Sequence, residues 1–188
     1  MIEHIAEESQ YVEITGFKNI NAGNAKKLLE TIQREKLTDV SVQFFNADLV
    51  ATWEHLHFAL LNALTAFKTQ RNVSKSLAVE IMLYASAQRQ IRKAIDLVGV
   101  KAGCGDVAVV IVGEKPDSVE ASISEISRFL GKNPDEHVLE LSTSKALAIR
   151  RAFTITEMEL AVVTKKGDGE QALVDLVIER MALLSTKI

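Results

Sequence analysis

The chain has 188 residues, 47% of them hydrophobic, and a net charge of −3; that is enough apolar material for one compact domain with its own core, and the charge excludes a general non-specific nucleic-acid binder, leaving room only for a local cationic patch. Apolar runs such as Val107–Val112 fall far short of the ~20 residues of a membrane-spanning helix, and Met1-Ile2-Glu3-His4 has neither the basic start nor the apolar core of a secretion signal. The single cysteine, Cys104, can form neither an internal disulfide nor a cysteine-based zinc site, so a reducing, cytoplasmic setting is expected.

Tyr11–Thr15 alternates and predicts a first strand. Asn21 caps an expected helix over Ala22–Glu35, with Ala25, Leu28, Leu29 and Ile32 on one face. Val40–Phe45 is a second strand, after which Asn46 is expected to cap a long helix to about Gln70 with a wide apolar stripe. Arg71–Lys75 is a polar break. Ser76 opens an apolar helix ending near Ala85-Ser86, and Ser86 is expected to cap another over Ala87–Val98, closed at Gly99.

Val107–Val112 is β-branched and bounded by glycines, as a central strand would be. Pro116 suits the first turn of a helix that stops before Gly131. Val138–Leu141 reads as a short strand, Ser142 as the cap of a helix to Arg151, and Thr156–Glu159 as a capping box. Lys165–Gly169 is a loop before a last helix over Glu170–Leu184. The fold class expected is a mixed α/β (α+β) single domain: a small mixed sheet surrounded by many helices.

Catalytic signatures are missing. Gly99–Gly105 has the glycines of a phosphate loop but follows a helix and opens a strand, the reverse of the dinucleotide-binding order. His55 and His57 stand two apart, pointing about 200° from each other on a helix, so they do not share a metal. No metal, no cofactor and no general acid/base pair is expected.

The helix after Ser86 is more informative. Ile91, Ala94, Ile95 and Val98 have the spacing of an inward face. Arg89, Arg92 and Lys93 converge on the other side, either as a solvated basic face or as an anion site suited to phosphate. In the second reading, backbone N–H groups at Ser86 and Ala87 add donors, and Tyr84 and its aliphatic neighbours offer a surface for an unpaired base. The last helix is apolar around most of its circumference. Leu173, Val177 and Leu184 can fill the chain's own core, while Val174, Ile178 and Met181 lie partly on another side; such a helix is either fully buried or shared with a partner.

Leu77–Ile91, read with Ala94-Ile95 and Gly99-Val100, resembles the central signature of the kinase-binding accessory subunit of the KEOPS complex, the archaeal and eukaryotic PRPK-binding protein family, whose members read close to E-I-L-L-Y-A-S-G-x-R-Q-I. Glu179–Leu184 resembles the family's E-R-I/V-A-L-L ending. Ala87 stands where glycine is common, and the tail Ser185–Ile188 is basic where acidic or short endings are usual. The resemblance implies a non-catalytic subunit that binds the small kinase/ATPase of KEOPS and the 3′ CCA end of transfer RNA, in support of N6-threonylcarbamoyladenosine formation. It carries the RNA role to Ile81, Tyr84, Ser86, Arg89, Gln90 and Ile91, with Arg92 and Lys93 beside them, and the kinase role to Val174, Ile178, Met181 and Leu184. Two other readings compete: a small-molecule-binding or enzymatic α/β domain with a pocket near Gly103–Asp106, and a homo-oligomer paired through the last helix.

Overall fold

A computed structural model of the chain describes residues 2–20, 39–101, 105–164 and 168–186. In chain order the strands are β1 (Glu3–Ile5), β2 (Gln10–Phe17), β3 (Val40–Asn46) and β4 (Val107–Gly113). The helices are α1 (Trp53–Lys68), α2 (Leu77–Ala85), α3 (Ile91–Val98), α4 (Pro116–Leu130), α5 (Thr143–Ala152), α6 (Glu157–Val163) and α7 (Gly169–Ala182), with short 3-10 turns over Ala6–Glu8, Ala47–Leu49, Glu136–Leu139 and Leu183–Thr186. The architecture is mixed α and β, as the order of sequence patterns predicts. The helix expected over Ala22–Glu35, residue Cys104 and most of the loop after Thr164 lie outside the described residues.

The chain divides into two compact units, residues 1–47 with 99–138, and residues 48–98 with 139–188. The first holds an antiparallel four-stranded sheet in the order β1-β2-β4-β3. β4 is buried along its whole length, which is why its sequence is an unbroken β-branched run and not an alternating one. Val107, Val109 and Ile111 pack with Phe17, Val42 and Phe44 against Val119 and Ile126 of α4. Pro116 occupies the first turn of α4, and Gly131, at φ 62°, ends it in the left-handed conformation that glycine adopts without a Cβ penalty.

The second unit is helical. Leu56, Ala59, Leu60 and Ala63 of α1 are fully buried, and α1 packs against α2 and α7. The Ser142 hydroxyl accepts from Lys145 N–H at the start of α5, and Thr156 with Glu159 forms a complete capping box on α6.

Several expectations are corrected. Asn46 ends β3 instead of capping a helix: a 3-10 turn over Ala47–Leu49 follows, and Thr52 is the residue before α1. Val138–Leu141 is not a strand; a 3-10 turn covers Glu136–Leu139. The sheet also gains β1, whose three largely exposed residues show no apolar alternation. Ser86 terminates α2 and does not cap α3, because its neighbour Ala87 takes φ 51°. Ala87 N–H then bonds the Tyr84 carbonyl and Gln88 N–H the Leu83 carbonyl, the paired closing bonds of a Schellman motif.

Candidate functional site: a cationic cleft in the helical unit

The end of α1, the polar segment 71–76, α2 and the turn after it enclose a cleft of about 530 Å³. Two features of the sequence make it. The apolar run of α2 forces Ile81 and Leu83 into the core, so that Leu83 and Leu184 supply an apolar floor. The polar break before α2 is held down by a buried carboxylate. Glu80, 2% exposed, accepts from Ser74 N–H at 2.7 Å and from Val73 N–H at 3.1 and 3.2 Å. Those bonds satisfy backbone donors of a segment with no regular structure of its own.

Arg71 and Arg89 both line this cleft, with Tyr84 between them in sequence and Asn62, Thr65 and Gln88 as further polar walls. Burial raises the Tyr84 phenol above its ordinary range; the Glu80 carboxylate pushes the same way, and the Arg89 guanidinium opposes them. Tyr84, 8% exposed, therefore stays a neutral donor and acceptor in the cleft wall. Two guanidinium groups, a ring and several amide and hydroxyl groups can bind an anionic, aromatic-bearing ligand; they hold no nucleophile–base pair.

The eight residues expected at the RNA end divide sharply. Tyr84 and Arg89 line the cleft. Ile81 and Ser86 are fully buried, and the Ser86 hydroxyl donates to the Leu83 carbonyl at 3.0 Å. The backbone N–H groups of Ser86 and Ala87, expected to be free for an anion, are taken by the Met82 and Tyr84 carbonyls. Gln90, Ile91, Arg92 and Lys93 are exposed on the following turn and α3. The inward face expected for α3 is corrected too: Ala94 and Val98 are buried, but Ile91 and Ile95 are 43% and 49% exposed. The two isoleucines share the exposed side of α3 with Arg92 and Lys93.

The last helix is also corrected. Val174 and Met181 are buried, not partly exposed, and Leu184 lines the cleft while 8% exposed; Ile178 alone of the four kinase candidates is half-buried. The outer face of α7 instead carries Asp175, Glu179 and Ala182, with Leu183 at its end. Of the further cations, Lys145 is buried with its Nζ donating to the Glu140 carbonyl, and Arg150 pairs with Glu157. Neither lines the cleft. Of the pocket expected near Gly103–Asp106, Gly103 and Cys104 lie outside the described residues.

Sequence reasoning missed Arg71, Asn62, Thr65 and Glu80. The signal for Glu80 was present: a single carboxylate inside the apolar run of α2, where an unpaired charge would be costly, demands donors nearby. Arg71 gave no comparable sign.

The model of the family described as Kinase binding protein CGI-121 matches residues 17–185. The chain belongs to this family. A curated relative, the regulatory protein Cgi121 of Methanocaldococcus jannaschii, is 33% identical over 145 residues, covering 77% of this chain and 83% of that protein. Membership makes this a kinase-binding protein by family. Among the described residues no helix is long and apolar enough to cross a membrane.

Proposed function

We propose that the chain is a non-catalytic, cytoplasmic subunit of the KEOPS complex that joins the complex's small kinase/ATPase to the 3′ CCA end of transfer RNA, in support of N6-threonylcarbamoyladenosine formation. The kinase-binding half of this reading rests on the family. The RNA half rests on one observation: Arg71, Tyr84 and Arg89 line the same cleft. A single-stranded end presents phosphates and unstacked bases within a short length, and that combination calls for guanidinium groups beside an aromatic ring. A net charge of −3 suits recognition of an end better than tracking along a duplex. Gln90, Arg92 and Lys93 on the exposed turn and α3 would meet the RNA further from the terminus.

The kinase is assigned to the outer side of α7 and the turn after it, with Ile178 and Leu183 as the apolar contacts. Val174, Met181 and Leu184 act indirectly, by fixing that helix from below.

The test is a set of charge reversals read by fluorescence anisotropy with transfer RNA. Arg71→Glu and Arg89→Glu are each expected to weaken binding at least tenfold and to flatten the dependence of log K on log salt, by about 0.7 per lost single-strand phosphate contact. Lys115→Glu, at the start of α4, leaves both unchanged. Equal losses for all three would point to general charge and not to the cleft.

A further inference from the structure

The hydrogen bonds along α1 give the cleft a second chemistry, the opposite of that of its arginines. Asn62, Thr65 and Thr69 stand three and four residues apart, so they fall on one face of α1 and its end, and all three line the cleft. Each spends a hydrogen on its own helix. Asn62 Nδ2 donates to the Phe58 carbonyl, Thr65 Oγ1 to the Leu61 carbonyl and Thr69 Oγ1 to the Thr65 carbonyl, each at 2.8 Å. Carbonyl oxygens only accept, so the direction of these bonds is fixed. A hydroxyl has one hydrogen. Thr65 and Thr69 are therefore left with lone pairs alone, and Asn62 with its amide oxygen and one N–H.

The helix itself adds to this bias. The carbonyl end of α1, 16 residues long, lies in the same wall, and its partial negative charge disfavours a phosphate there and favours a donor. Lys68, in the last turn, does not line the cleft. The cleft thus offers two kinds of contact: guanidinium groups at Arg71 and Arg89 for an anion, and an acceptor face on α1 for ligand O–H or N–H groups. A single strand of RNA carries both on its backbone, because each 2′-hydroxyl sits on a sugar that the phosphates join. Base amino groups stand further from the phosphates and differ from base to base.

We propose that the α1 face of the cleft reads ribose, with the oxygens of Asn62, Thr65 and Thr69 accepting from 2′-hydroxyls of the strand whose phosphates Arg71 and Arg89 hold. This rests on the RNA role proposed for the cleft, and adds to it the group that tells RNA from DNA.

Fluorescence anisotropy of the full chain tests it, with a labelled single strand of A and C ending in CCA, made once as RNA and once as DNA. The RNA strand is expected to bind about tenfold tighter or more, the worth of two ordinary hydrogen bonds. Thr65→Val and Thr69→Val together keep the side-chain shape, lower RNA affinity to that for DNA, and leave DNA affinity and the salt slope unchanged, since no phosphate contact is lost. Thr65→Ser with Thr69→Ser, which keeps both oxygens, retains the preference for RNA. Equal affinity for the two strands, with Arg89→Glu still weakening both, overturns the ribose reading and leaves the anion cleft standing. A preference for RNA that survives the double valine variant overturns it too, as the hydroxyls are then read elsewhere. Equal losses for RNA and DNA in that variant give the acceptor face to base amino groups and overturn it likewise. If neither strand nor intact transfer RNA binds, the RNA role of the cleft fails, and the ribose reading with it.

Discussion

His55 Nε2 lies 2.8 Å from the Ala85 carbonyl, and its Nδ1 accepts from Ala51 N–H at 3.1 Å, so one fully buried imidazole ties the start of α1 to the end of α2. The second bond fixes the tautomer, with the proton on Nε2.

Burial lowers the His55 pKa from 6.5 to about 4, the Ala85 hydrogen bond resisting and Lys145 adding to the shift. The folded state therefore holds the neutral ring where the unfolded chain already takes up a proton. Stability is complete above about pH 6.5 and falls as pH drops toward about 4, by about 3 kcal/mol from this group. Urea midpoints measured from pH 7.5 to 4.5 should show that loss. His55→Gln should be less stable at pH 7.5 and show a shallower decline.

Glu80 is the buried support of the cleft's polar lip. Glu80→Ala leaves Val73 and Ser74 N–H without their acceptor and is expected to cost about 2 kcal/mol or more. Hydrogen exchange at Val73 and Ser74 should rise more than global unfolding explains, and RNA binding should weaken even though Glu80 carries no positive charge.

Ala87 holds a left-handed backbone, φ 51°, in the position of the Schellman motif that glycine usually fills. Ala87→Gly should raise stability by about 1 kcal/mol, by removing the Cβ strain. It is measured as an increase in Tm with no change in RNA affinity. α2 ends there abruptly, and Arg89, two residues on, lines the cleft.

The turn after α2 also shows where the sequence was legible and where it was not. Local rules placed Pro116, Gly131, the Ser142 cap and the Thr156–Glu159 box correctly, because each depends on a few neighbouring backbone groups. Ser86 failed since a serine between two helices can close one or open the other, and only the φ of Ala87 decides. The periodicity of α3 identified an amphipathic helix, but not how much of its apolar face the rest of the chain covers; Ile91 and Ile95 stayed outside. The all-round apolar pattern of α7 posed the same question, and Val174 and Met181 are answered by burial. For the cleft, Tyr84 and Arg89 were readable from the signature, whereas Arg71 joins them only through the packing of α1 on α2.

Those burial values sort the kinase contacts. Leu183, 42% exposed, and the half-buried Ile178 are expected to touch the kinase. Ile178→Glu and Leu183→Glu should each weaken kinase association by about 2 kcal/mol, roughly thirtyfold in Kd, while far-ultraviolet circular dichroism and Tm stay near those of the parent. Met181→Glu, at a site with no exposure, should lose association together with the fold.

The account turns on whether the Arg71–Tyr84–Arg89 cleft receives an RNA terminus. The direct measurement is the Kd of the chain for intact transfer RNA and for the same RNA with its 3′ CCA removed, at fixed salt. A loss of at least tenfold on trimming, which disappears in Arg89→Glu, is predicted. Equal affinity for the two RNAs would contradict it.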